Sequence, residues 1–153
     1  STGEEAYSLA IMCSERHISL SEPILATDID NEVLEKADMG IYSEKAVQSM
    51  PPAYLKKYFK AEGNYYQINN NIKQMVRFQQ QDLLKDNFGR GFDLILCRNV
   101  VIYFTEESKQ KLYQKFCDAL RPRGVLFIGS TEQIFQSREL GLQSIATFFY
   151  QKT

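Results

Sequence analysis

The stretch ILATDID, Ile24 to Asp30, followed at once by NEVLEKA, Asn31 to Ala37, decides how this sequence folds. A short apolar run ends in acids, and Val33, Leu34 and Ala37 then recur at helical spacing. The order is strand, acidic turn, helix. On the N-terminal side, Ala6, Leu9, Ala10 and Cys13 repeat at i, i+3, i+4 and i+7. That predicts a helix from Glu4 to about His17, entered at Gly3, with Glu4 and Glu5 in its first turn. On the C-terminal side, FDLILCR, Phe92 to Arg98, is predicted as a strand buried on both faces. Thr105 caps a helix with Glu106 and Glu107 in its first turn and Leu112, Phe116 and Leu120 along one face. RPRG, Arg121 to Gly124, stops that helix, and VLFIG is the next strand. The closing GLQSIATFFYQK is β-branched and aromatic, which predicts a strand or a tight strand pair closing the sheet.

Residues 38 to 80 differ in texture. Pro51 and Pro52 open a short helix through Leu55 and Phe59, and YYQIN and IKQMVRF flank Asn70 and Asn71, a pattern that predicts a hairpin. This segment reads as an excursion between two α/β units. Strands alternating with helices predict an α/β fold, a doubly wound, mostly parallel sheet, as one domain over residues 1–153 with a small β-subdomain inserted at about 38–80.

Composition narrows the chemistry. The chain has 153 residues, 44% of them hydrophobic and 24% charged, the usage of a folded globular domain. A net charge of −1 gives no electrostatic support for nucleic-acid binding. Cys13, Cys97 and Cys117 are widely spaced, which predicts reduced buried thiols rather than a disulfide framework or a metal site. His17 is the only histidine, so neither an HExxH zinc pair nor a Ser-His-Asp triad can be built. No apolar run reaches the ~18 residues of a membrane span, and cytoplasmic location is the expectation.

In doubly wound sheets ligands bind outside the carboxyl ends of the strands, which directs attention to Gly3–Glu5, Asp28–Asp30, Asp82 with Leu83, and Arg98–Tyr103. A Gly loop entering a helix, then a strand ending in an acid, is the pattern in which that acid accepts hydrogen bonds from a ribose diol. Asp28 fits that role, or that of a turn acid for the next helix; Asp30 fits the helix cap. Glu4 and Glu5 either complement the helix dipole or favour a cofactor that carries positive charge, since carboxylates there would repel a pyrophosphate. Arg98, after a buried run, lies at the sheet's end or in an ion pair; Tyr103 faces the same region or joins the core.

Together, STGEEAYSLA, ATDIDNEVLEKADMGIY, FDLILCRNVVIYF and LRPRGVLFIGSTEQI resemble the S-adenosylmethionine domain of the CheR-type chemotaxis receptor methyltransferases, over essentially the whole chain. The resemblance implies methyl transfer from S-adenosylmethionine to glutamate side chains of methyl-accepting chemotaxis receptors, leaving S-adenosylhomocysteine. It implies cofactor contacts at Gly3, Glu5, Asp28 (the ribose acid), Asp82 and Leu83 (flanking the adenine), and Cys97, Arg98 and Asn99. Arg98 and Tyr103 match the family's proposed active-site positions. Family members that dock a receptor's C-terminal peptide use the inserted subdomain; here the corresponding loop, around EGNYYQINNNIK, is short and Asn-rich. In the family, residues preceding this Ser1 supply a central first strand, the start of the Gly loop and a helical domain. The chain is therefore expected to belong to a longer polypeptide, or to fill the gap through another chain.

The chemistry agrees. A glutamate of pKa ~4.3 is ionised at neutral pH, so its methylation needs no general base and the scarcity of histidine is no obstacle. The reaction needs an in-line approach at roughly 3 to 3.5 Å with water excluded. Arg98 suits a bidentate hold on the carboxylate, and Tyr103 can pack beside the methyl or donate a hydrogen bond. The alternative is a non-catalytic S-adenosylmethionine-binding or regulatory module on the same fold. A nicotinamide-dependent oxidoreductase fits the strand-acid pattern but neither Glu4 and Glu5 nor CRNVVIYF.

Overall fold

The computed structural model describes all 153 residues, which form two compact units, Ser1–Asp82 and Leu83–Thr153. The first opens on helix α1 (Glu4–Glu15), entered through Gly3 in the left-handed conformation, φ 94°. Strand β1 (Ile24–Asp28) leads into α2 (Asn31–Met39). The Asp30 carboxylate caps α2, accepting from the Glu32 and Val33 N–H groups at 2.9 and 3.4 Å, as its place before the apolar spacing predicts. Next come β2 (Ile41–Ser43), α3 (Glu44–Val47), α4 (Pro52–Tyr58), β3 (Phe59–Glu62), β4 (Tyr65–Ile68), α5 (Asn70–Lys73) and β5 (Val76–Gln80). β2, β4 and β3 form an antiparallel three-stranded sheet in that order, while β1 and β5 pair in parallel with Asp28 opposite Gln80.

The hairpin expected at Asn70 and Asn71 is not there. The tight turn falls at Gly63 and Asn64, between the paired Glu62 and Tyr65, and Asn70 instead begins α5. The reason lies in the partner: β5 runs parallel to β1, and a parallel strand is entered through a crossover rather than a two-residue turn.

Tyr7 organises the core of this unit. Its ring meets Tyr42 and Phe78 edge-on, with centroids 6.3 and 5.6 Å away, and its hydroxyl donates to the Ala37 carbonyl at 2.8 Å, tying α1 to α2. Burial first, and the Asp38 charge second, push the Tyr7 phenol up to about 12.

In the second unit, β6 (Phe92–Cys97) is followed by a 3-10 turn (Val101–Tyr103), α6 (Glu106–Ala119), β7 (Leu120–Ile128), a second 3-10 turn (Ser137–Leu140), β8 (Leu142–Ala146) and β9 (Phe149–Lys152). The sheet order is β6-β7-β9-β8, with β6 and β7 parallel and β9 antiparallel to both of its neighbours. The expected closing strand pair is β8 and β9. Thr105 caps α6, its Oγ1 accepting from the Ser108 N–H at 3.2 Å. The helix ends at Ala119, so Leu120 opens β7 rather than extending the apolar face of Leu112 and Phe116.

β6 departs from the expectation of burial on both faces, since Asp93 and Leu94 are exposed. β6 has a ladder partner only in β7, as β1 has only in β5, so each keeps one unpaired edge. An apolar run shows what a strand tolerates, and its neighbours decide what is covered. No helix is long and apolar enough to cross a membrane.

Tyr7→Phe removes the hydroxyl donated to the Ala37 carbonyl, which keeps the Gly40 N–H at 3.1 Å, and should lower stability by about 0.5 to 1.5 kcal/mol in denaturant unfolding. The raised Tyr7 pKa means the unfolded chain loses this proton first. Its contribution is therefore complete below about pH 10 and lost as pH climbs towards 12. The parent should accordingly lose stability over that window more steeply than Tyr7→Phe, and equal slopes would contradict the assignment.

Candidate functional site

In the first unit, the carboxyl ends of β1 and β5 carry Asp28 and Asp82. Asp28 closes β1; its Oδ1 accepts from the Asp30 N–H at 3.1 Å and its Oδ2 from the Ser1 amino group. Burial acts to raise the pKa of this carboxyl, and the hydrogen bonds from the Asp30 and Ile29 N–H groups act to lower it. The Gln81 N–H donates to the Asp28 carbonyl at 2.9 Å, which sets Asp82 one residue beyond this bond.

Gly3 sits in a tight cradle. A Cβ there would meet the Tyr42 hydroxyl and Tyr7 Cε2 at 3.1 Å and Ala37 Cβ at 3.2 Å, in a backbone conformation that L side chains rarely adopt. The Tyr42 hydroxyl donates to the Thr2 carbonyl at 2.8 Å, fixing the entry to α1. Glu5, half-buried, stands in the first turn behind it. Of the residues singled out in the sequence, this unit therefore gathers Asp28 with Asp82 at the strand ends and Gly3 with Glu5 at the start of α1. The Ser1 hydroxyl accepts from the Gly3 N–H at 3.3 Å.

In the second unit, Cys97 ends β6 and is buried. The Arg98 guanidinium lies over the ring of Phe127, a β7 residue, 5.2 Å from its centroid. Asn99 takes the left-handed conformation, φ 59°. Tyr103 is 88% exposed at the end of the 3-10 turn, so it is not a core aromatic.

Two residues at this end of the second unit have roles the sequence did not reveal. Lys115 of α6 donates from Nζ to the carbonyls of Leu83 and Asp86, both at 2.7 Å, and lies 4.3 Å from the Phe88 ring centroid. It fastens the segment that begins with Leu83 to α6, yet in sequence it reads as one more lysine on a helix. Glu132, four residues after β7, is 7% exposed and is the one buried charged side chain. An acid three residues after Gly129, which follows the end of β7, was the available signal.

The residues present suit a cofactor bearing a ribose and a positive charge. They offer a carboxylate at a strand end, a glycine that admits close backbone approach, and acids at a helix start where a pyrophosphate would be repelled. The fold is that of class I S-adenosylmethionine-dependent methyltransferases. It is similar to a TehB-like S-adenosylmethionine-dependent methyltransferase from Corynebacterium glutamicum, TM-score 0.54, 15% identical, covering 98% of this chain and 72% of that one. It also resembles an S-adenosylmethionine-dependent methyltransferase from Methanosarcina mazei, TM-score 0.51, 14% identical, covering 83% and 47%.

Residues 1–148 match the family described as CheR methyltransferase, SAM binding domain, and the chain belongs to that family. It is 44% identical over its full length to a chemotaxis protein methyltransferase of Listeria innocua, of which it spans 58%. It is 38% identical to chemotaxis protein methyltransferase 2 of Vibrio cholerae, covering 88% of this chain and 49% of that protein.

Lys115→Met should speed amide exchange across Asp86–Phe88 and cost about 1 to 2 kcal/mol, with Lys115→Arg partly restoring protection. Unchanged exchange in Lys115→Met would show that the lysine does not hold this segment.

Proposed function

We propose that the protein is a cytoplasmic protein-glutamate O-methyltransferase that moves a methyl group from S-adenosylmethionine to glutamate side chains of methyl-accepting chemotaxis receptors, acting as one domain over residues 1–153 with an inserted β-subdomain. Family membership supports this reading. The observation that carries it is the end of β6, where the Arg98 guanidinium, 5.2 Å from the Phe127 ring centroid, and the exposed Tyr103 lie within one short segment.

Each residue then has a role. Asp28 accepts from the ribose hydroxyls; Gly3 lets the backbone approach the cofactor; Glu5 offsets its positive charge; Asp82 and Leu83 flank the adenine; Cys97 and Asn99 line its amino-acid end. When bound, the cofactor would supply an electrophilic methyl on a sulfonium, with sulfur as the leaving group that takes the bond's electron pair. Arg98 holds the incoming carboxylate, which arrives already ionised, so no proton has to be moved. Its hold must be firm enough to orient the oxygen without stabilising the ground state more than the transition state. Tyr103, exposed before the receptor arrives, is the aromatic that receptor binding would cover.

Calorimetry with S-adenosylhomocysteine and methyl transfer to receptor cytoplasmic fragments test the reading. Asp28→Ala should weaken binding about a hundredfold, the scale of losing two hydrogen bonds to a charged group. Tyr103→Phe should lower turnover at least about tenfold with affinity nearly unchanged, the pattern of an interaction made in the transition state. Intact binding in Asp28→Ala would remove the ribose assignment. Binding without turnover on any receptor would leave a binding module in place of an enzyme.

A further inference from the structure

Glu132 is an expensive residue to bury, and its surroundings show where its charge is satisfied. Oε2 accepts from the Gly129 N–H at 2.7 Å and Oε1 from the Val101 N–H at 3.3 Å. Its own N–H donates to the Gly129 carbonyl at 3.1 Å, so it folds back over the end of β7. One carboxylate thus bridges two loops: the one after β7, and the 3-10 turn Val101–Tyr103 after β6. The junction is close. A Cβ on Gly129 would stand 2.7 Å from Asn99 Oδ1, 2.9 Å from the Asn99 nitrogen and 2.9 Å from Glu132 Oε2.

Held by the ladder, Cys97 is fixed opposite Ile128. Val101–Tyr103 lie beyond the ladder, and the Glu132 contact to Val101 fastens the base of the turn whose last residue is Tyr103. We propose that Glu132 is a positioning residue for methyl transfer: it sets the turn that presents Tyr103, through the Val101 N–H, without touching substrate or cofactor itself. This rests on the enzymatic reading above.

A carboxylate suits the task because both donors are N–H groups and both of its oxygens accept. Glutamine offers one carbonyl oxygen and an NH2 that would face the second N–H. The shorter, local bond to Gly129 should then survive and the longer one to Val101 be lost.

The test uses the full-length protein and two variants, Glu132→Gln and Glu132→Asp, the second keeping the charge but one methylene too short to bridge both loops. Each should lower kcat at least about tenfold while the Kd for S-adenosylhomocysteine moves less than about threefold. In a Tyr103→Phe background, Glu132→Gln should cost little more, because the hydroxyl that the turn places is already gone. Losses that simply multiply, a kcat within twofold of the parent, or a Kd that worsens in step with turnover would each overturn the proposal. Amide exchange gives an arm that needs no activity: Val101–Tyr103 should lose protection in Glu132→Gln while β7 keeps its own, and unchanged protection there would also overturn it. A parent that binds cofactor but methylates no receptor fragment refutes the enzymatic reading, while the exchange arm still decides whether Glu132 sets the turn. Should Glu132→Gln fail to fold, Glu132→Asp carries the same comparison.

Discussion

Parallel pairing is the constraint on which the rest of the structure depends. Two strands running the same way cannot be joined by a tight turn, so the chain must leave the sheet and return at the other end. Between β1 and β5 it runs through α2, the three-stranded sheet and α5; between β6 and β7 it runs through the 3-10 turn and α6. Both strands of each pair then finish at one end, and whatever follows them in sequence is brought together there. In the first unit that collects Asp28 and Asp82; in the second it collects Cys97–Tyr103 and Gly129–Glu132. The antiparallel strands β8 and β9 can use a short connection, and the chemistry-bearing residues are not found there.

How much of this was legible follows from how local each cause is. The starts of α2 and α6 could be read because a cap and its apolar spacing lie within one turn, at Asp30 and Thr105. The hairpin was misplaced because both Asn70–Asn71 and Gly63–Asn64 have turn chemistry, and only the direction of β5 against β1, a contact between residues about fifty positions apart, decides between them. The exposure of Asp93 and Leu94 was hidden for the same reason, since a strand's composition does not state how many neighbours it has. At the site, Asp28 and Arg98 were legible as charges that end apolar runs. Lys115 and Glu132 were not, because each acts on backbone groups, the Leu83 carbonyl and the Val101 N–H, that any sequence would have supplied.

The electrostatics of the first unit make a consistent set. Asp28 accepts from the Asp30 N–H at the end of β1, and Glu4 and Glu5 occupy the turn where a helix dipole favours anions. These acids stabilise the helix start, yet they would oppose a phosphate there. The same placement therefore stabilises the helix start and disfavours an anion beside it. For the proposed methyl transfer, a nucleophile that arrives charged would meet a cationic cofactor, so orientation and exclusion of water would matter more than proton transfer.

Orientation is where the buried glutamate and the glycine beside it become one device. With no side chain at 129, Asn99 can approach in its left-handed conformation and Glu132 can fold back to the same spot. With a Cβ there, the Asn99 side chain, its backbone nitrogen and the carboxylate would all have to move, and they come from two different loops. A buried charge bridging two backbone N–H groups is costly to disturb on either side, because moving one loop leaves an oxygen unpaired where water cannot replace the donor. That cost is what makes the turn bearing Tyr103 a fixed feature of the second unit rather than an exposed loop free to settle anywhere, even though the tyrosine it carries is almost wholly in solvent.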